Sequence, residues 1–62
     1  MCEASVYVVR EDREELVLES VDRLEADEGR IRLISLFGEE KILTGRIKAL
    51  SLVNHKIFIE PL

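Results

Sequence analysis

The 62-residue chain contains one cysteine and one histidine, so it can form no internal disulfide and has no paired Cys and His ligands at zinc-binding spacing. Tryptophan is absent, there is one proline, and the three aromatic residues are Tyr7, Phe37 and Phe58. Long apolar runs are also missing. Uncharged stretches such as residues 49–54 fall far short of the ~20 apolar residues a spanning helix needs, and nothing reads as a signal peptide. A cytosolic location is therefore expected, where a lone thiol stays reduced. The three glycines are scattered singly, which excludes a Gly-rich phosphate loop, and no Ser/His/Asp or Cys/His arrangement supports nucleophilic catalysis. The expectation is a protein that is not an enzyme.

What is present describes one small domain, residues 1–62. A chain of this length buries only about 60% of the surface its unfolded form exposes, so it needs a staple. With disulfides excluded, that staple is a metal, a second subunit, or both. Charged residues make up 35% of the chain, with 13 acidic and 9 basic side chains and a net charge of −4. This balance disfavours a phosphate backbone or an anionic membrane surface. Acidic residues crowd positions 11–28, whereas Arg30, Arg32, Arg46, Lys48 and Lys56 lie later. Pairing of opposite charges between strands accounts for that asymmetry.

The hydrophobic pattern predicts an all-β fold, a small barrel or strongly bent antiparallel sheet of about six short strands. Val6, Tyr7, Val8 and Val9 read as a strand buried on both faces. Leu16, Val17 and Leu18 read as a second strand, followed by a turn near Ser20 and a weaker strand through Leu24, although residues 14–26 also have the spacing of an amphipathic helix. In residues 30–37 the apolar phase passes from Ile31 and Leu33 to Ile34 and Leu36, which predicts a bend. Gly45 is expected to break or kink the chain before Ile47 and Ala49, where the phase switches again to Leu50 and Leu52. A hairpin turn at Asn54 and His55 leads to a last strand at 57–59, which Pro61 ends or confines to an edge. Apolar side chains on both faces exceed what one such sheet covers, and a two-fold homodimer would cover the surplus.

Cys2 is the candidate metal ligand. Its thiolate, the amine of Met1 and the intervening backbone nitrogen can close small chelate rings around one cation, and thiolate with nitrogen suits a square-planar ion such as nickel(II) or copper(II). One chain supplies two or three donors, so a two-fold dimer with both N-termini at its axis would complete one site. His55 lies in a turn and needs no ligand role. Glu39 and Glu40 are adjacent on an extended chain and point to opposite faces, which disfavours paired acid–base chemistry. The aromatics are read as interior strand positions rather than a base-stacking platform.

The Met1-Cys2 start, the valine-rich first strand, the segment Leu36-Phe37-Gly38-Glu39-Glu40 and the pattern Gly45-Arg46-Ile47 together resemble the CooT family of small nickel-binding proteins, formerly grouped as predicted RNA-binding proteins. The resemblance covers nearly the whole chain. It implies a homodimeric all-β accessory protein that binds nickel(II) through Cys2, about one ion per dimer, and supplies nickel to carbon monoxide dehydrogenase or another nickel enzyme. Lys41 stands where some relatives would carry a histidine, so no auxiliary ligand is expected there. Two rival readings are a small RNA-binding β-barrel using Arg30, Arg32, Arg46 and Lys48, and an interaction module whose exposed edge strand adds to a partner's sheet.

Overall fold

A computed structural model describes residues 3–62. Met1 and Cys2, the candidate metal ligands, lie outside the described residues. The chain forms five strands: β1 (Ala4–Arg10), β2 (Arg13–Asp27), β3 (Arg30–Ser35), β4 (Glu40–Ser51) and β5 (Lys56–Pro61). They close into a barrel in chain order, with antiparallel pairing between successive strands and a parallel β1–β5 pair joining the ends. The all-β reading holds, and the helical alternative for residues 14–26 does not.

Five strands replace the expected six because β2 and β4 run unbroken through the points that looked like breaks. The first part of β2 pairs with β1 and the second part with β3; β4 likewise passes from β3 to β5. β2 turns its corner at an irregularity rather than at a loop, whereas β4 changes partner between Thr44 and Gly45, ahead of its irregularity. In β2, Ser20 takes a left-handed backbone conformation (φ 57°), and register shifts flank the Val21 region. The bulge lets Leu18 and Val21, three residues apart, both face the interior, where strict alternation would send one outward. In β4 the shift falls between Ile47 and Ala49, so that Ile47 pairs with Ile59 and Leu50 with Ile57. The sequence reading has the phase switch after Ala49; the structure has it before Ala49, which pairs with Phe58.

The core consists of Val6 and Val8 from β1, Leu18 and Val21 from β2, Ile31 and Leu33 from β3, and Ile59 from β5. Full burial of each such side chain contributes about 1.5–3 kcal/mol. The expected bend in β3 is absent. Its alternation continues from Ile31 and Leu33 to Ser35, which is only 3% exposed, while Leu36 has already entered the turn. A serine in an apolar position is satisfied by local bonding: its Oγ accepts hydrogen bonds from the backbone N–H groups of Phe37 and Glu39, each at 3.1 Å. Replacing it with alanine leaves those donors without their acceptor. Ser35→Ala is expected to cost about 1 kcal/mol and to lower Tm by roughly 4–8 °C in a thermal melt followed by circular dichroism.

Two tight turns join successive strands. Glu28 and Gly29 both have positive φ (49° and 78°), the geometry of a two-residue turn whose twist matches the flanking strands. A second tight turn at Glu11 and Asp12 links β1 to β2, with Arg10 paired to Arg13. The last strand has neighbours on both sides, so Pro61 does not mark an edge. It lies beyond Ile59, the last residue paired with β1, at a place where a missing N–H breaks no β1–β5 bond. Closure also removes the exposed edge that the strand-addition reading required.

Among the described residues, one ion pair joins the acidic and the basic parts of the sequence, and the others lie within one part. Arg32 of β3 lies between Glu25 of β2, at 3.5 Å, and Glu40 of β4, with which it forms a close ion pair. Arg46 of β4 holds Glu60 of β5 at 2.9 Å. All are solvent-exposed, so each is worth about 0.2–1 kcal/mol and their larger effect is to favour one strand register.

Candidate functional site

The structure describes the ground beside Cys2. Glu3, its neighbour in sequence, accepts a long hydrogen bond from the Ser20 hydroxyl at 3.5 Å. Two residues further on, the Ser5 N–H donates to the carbonyl of His55 at 2.9 Å. The left-handed conformation of His55 (φ 56°) closes the β4–β5 turn and brings that carbonyl against the start of β1. Local sequence showed the turn but not its partner.

A groove of about 510 Å³ opens at this end of the barrel. Its apolar wall comes from Ala4, Val21, Leu24, Leu50, Leu52 and Ile57, with Glu3, Asp22, Arg23, His55 and Lys56 among its polar residues. The register explains the wall. Ile57 pairs with Val6 on one side and Leu50 on the other, so the groove continues the inward faces of β1, β5 and β4 to the mouth of the barrel. Beside it, Leu52 is 82% and Val53 89% exposed.

His55 lies in the expected turn and is exposed, and the fold brings it to the same groove as Glu3. Among the described residues, no three His, Cys, Asp or Glu side chains come together to hold a metal. Lys41 is exposed at the start of β4 and does not line the groove. Glu39 and Glu40 do not form a carboxylate pair: Glu40 engages Arg32, and the backbone of Glu39 closes the β3–β4 turn.

The aromatic residues depart from their expected interior places. Tyr7 and Phe58 are register partners on β1 and β5 and alternate with buried neighbours, so both face outward, half-buried. Their ring centroids are 5.7 Å apart, and the Lys56 ammonium lies 5.5 Å from the Tyr7 centroid. No sequence signal brings residues 7 and 58 together; only barrel closure does. Of the four basic residues assigned to an RNA surface, Arg32 and Arg46 are engaged by carboxylates of the chain itself.

Comparison with known proteins adds three findings. The family described as CO dehydrogenase accessory protein CooT matches residues 1–60. An uncharacterized protein of Methanocaldococcus jannaschii is 38% identical over 60 residues, which cover 97% of this chain and 98% of that protein. The crystal structure of a chain assigned as CooT from Carboxydothermus hydrogenoformans superposes with a TM-score of 0.92 at 44% identity, over 98% of both chains.

Proposed function

Because the chain belongs to the CooT family of CO dehydrogenase accessory proteins, we propose that it is a nickel(II)-binding metallochaperone that holds its metal at a homodimer interface through Cys2. It acts in the cytoplasm, catalyses no reaction itself, and passes nickel to CO dehydrogenase or another nickel enzyme. The Cys2 thiolate and neighbouring backbone nitrogens supply half of a square plane, and the second subunit supplies the other half. The metal is cargo, so the site must release it. Protons compete for both donor types, and acidification therefore weakens the hold.

The reading is supported by the position of the groove. It opens beside Glu3, the residue next to Cys2, and Leu50 and Leu52 of its wall are left in water in a single chain. Two copies packed there by a two-fold axis would bury Leu50, Leu52 and Ile57 against their mates and bring both cysteines to one region.

Mass spectrometry under native conditions tests the arrangement. The wild type is expected as a dimer carrying one nickel. Leu52→Asp, which puts a charge into the apolar contact, is expected to shift the population to monomer and to lower nickel retention with it. A monomer that binds one nickel per chain as tightly as the wild type would overturn the shared site.

A further inference from the structure

The β3–β4 turn holds an aromatic side chain in water at the tip of a braced, acid-flanked loop. We propose that Phe37 is the anchor with which this protein docks into an apolar, basic-rimmed pocket on the nickel enzyme it serves. The inference rests on the delivery role above and names the surface that role would use.

Phe37 is 80% exposed, although its turn is held by several hydrogen bonds. The Ser35 N–H donates to the Glu39 carbonyl at 2.8 Å and the Gly38 N–H to the Ser35 carbonyl at 3.1 Å. The buried Ser35 hydroxyl accepts from Phe37 and Glu39, and the Leu36 N–H donates to the Ser20 carbonyl at 2.8 Å. Gly38 supplies the left-handed residue (φ 88°), and a Cβ there would meet nothing within 4 Å, so the tip stands clear of the barrel. A core position is given over to a serine that fixes the turn, yet the turn leaves most of Phe37 in water. Rigid presentation of an exposed aromatic lowers the ordering cost of binding, and aromatic anchors of this type carry a large share of interface energy.

Charge indicates the kind of pocket. Glu39 follows Phe37 in the turn, and the Leu36–Ser20 and Ser20–Glu3 bonds bring Glu19 and Glu3 to its base. Like most acidic side chains of the chain, these three carboxylates are in no ion pair among the described residues. An apolar pocket ringed by lysine or arginine would complement that arrangement. Phe37 does not line the groove assigned to the second subunit, whereas Glu3 does.

The test measures binding of the nickel-loaded protein to purified nickel-free CO dehydrogenase, using wild type, Phe37→Ala and Leu16→Ala. Leu16 is an exposed leucine on the outer face of β2 and controls for general loss of apolar surface. Phe37→Ala is expected to weaken binding at least about 30-fold, the loss typical of an interface hot spot. Leu16→Ala should bind as the wild type, both variants should keep wild-type mass and nickel content, and added salt should weaken the wild-type complex. Equal affinity of Phe37→Ala and wild type would overturn the anchor while leaving the delivery role intact. A Phe37→Ala dimer that dissociates would assign the turn to the self-interface instead. Absence of any wild-type complex would remove both the anchor and this recipient, and the nickel stoichiometry would still be judged on its own measurement.

Discussion

Replacing Cys2 with serine is expected to lower nickel affinity by more than about 100-fold. Disturbing groups that merely orient a metal ligand already costs about 10–100-fold, and this change removes the ligand itself. A hydroxyl at the same position is a far weaker, harder donor that stays protonated in the neutral range, so a site selective for a borderline-soft ion loses its selectivity along with its affinity. Titration followed by absorption gives a second readout, because sulfur-to-nickel charge-transfer bands should vanish in Cys2→Ser. A third comes from linkage. Nickel at one hundred times its dissociation constant stabilises the form that binds it by about 2.7 kcal/mol, so it should raise the wild-type Tm and leave that of Cys2→Ser unchanged. The metal-free proteins are expected to melt together. Equal affinity and an unchanged spectrum in the variant would take Cys2 out of the site and the shared-metal reading with it.

The largest expected loss of stability comes from one hydrogen-to-methyl change at Gly45. A Cβ built there would lie 2.5 Å from the backbone carbonyl oxygen of Glu60 and 3.2 Å from the Cα of Pro61. These are main-chain atoms of the paired strand, so no side-chain rotation relieves the contact; β4 and β5 must move apart where β4 turns from β3 toward β5. The Gly45 N–H also donates to the Gly29 carbonyl at 2.8 Å, which ties the β2–β3 turn to the same point. Overpacking of this kind costs about 1–3 kcal/mol, and a chain this short has only about 3–9 kcal/mol to lose. Gly45→Ala should therefore lower Tm by roughly 10 °C or more, and Gly45→Val should leave much of the population unfolded at room temperature. Gly38→Ala provides the contrast: it meets no neighbouring atom, so its penalty is confined to the left-handed backbone and is expected near 1 kcal/mol. A Gly45→Ala protein that melts with the wild type would show that the close β4–β5 approach is not needed for closure.

Several features of the fold were open to local reading because their causes are local. The valine run of β1 and the Glu28-Gly29 turn follow from propensity and backbone permissiveness, which act over a few residues. The phase switch from Ile47 to Leu50 was also visible, since it is written in the spacing of apolar residues. The same local reading divided β2 near Ser20 and β4 at Gly45. A bulge and a loop look alike in sequence when each interrupts an alternation. They differ in whether another strand continues to pair across the interruption. The supposed bend in β3 failed for a related reason: Ser35 reads as polar and therefore outward, whereas the turn it braces makes an inward serine affordable.

The candidate site divides in the same way. Cys2 stood out from its chemistry and from motifs that agree with the family matched over residues 1–60. The apolar mouth beside Glu3, the arrival of His55 against β1 and the outward Tyr7–Phe58 pair did not, because each joins residues more than thirty positions apart or gathers them from four strands.

Strand content, tight turns and the lone thiol are properties of neighbouring residues, and the amino-acid order determined them without reference to the rest of the chain. Closure of β1 against β5, the corners of β2 and β4, and the groove at the barrel mouth were decided by the tertiary structure. Each depends on how closely distant backbones can approach and on which inward faces run out at the end of the barrel, and neither quantity exists until the whole ring has formed.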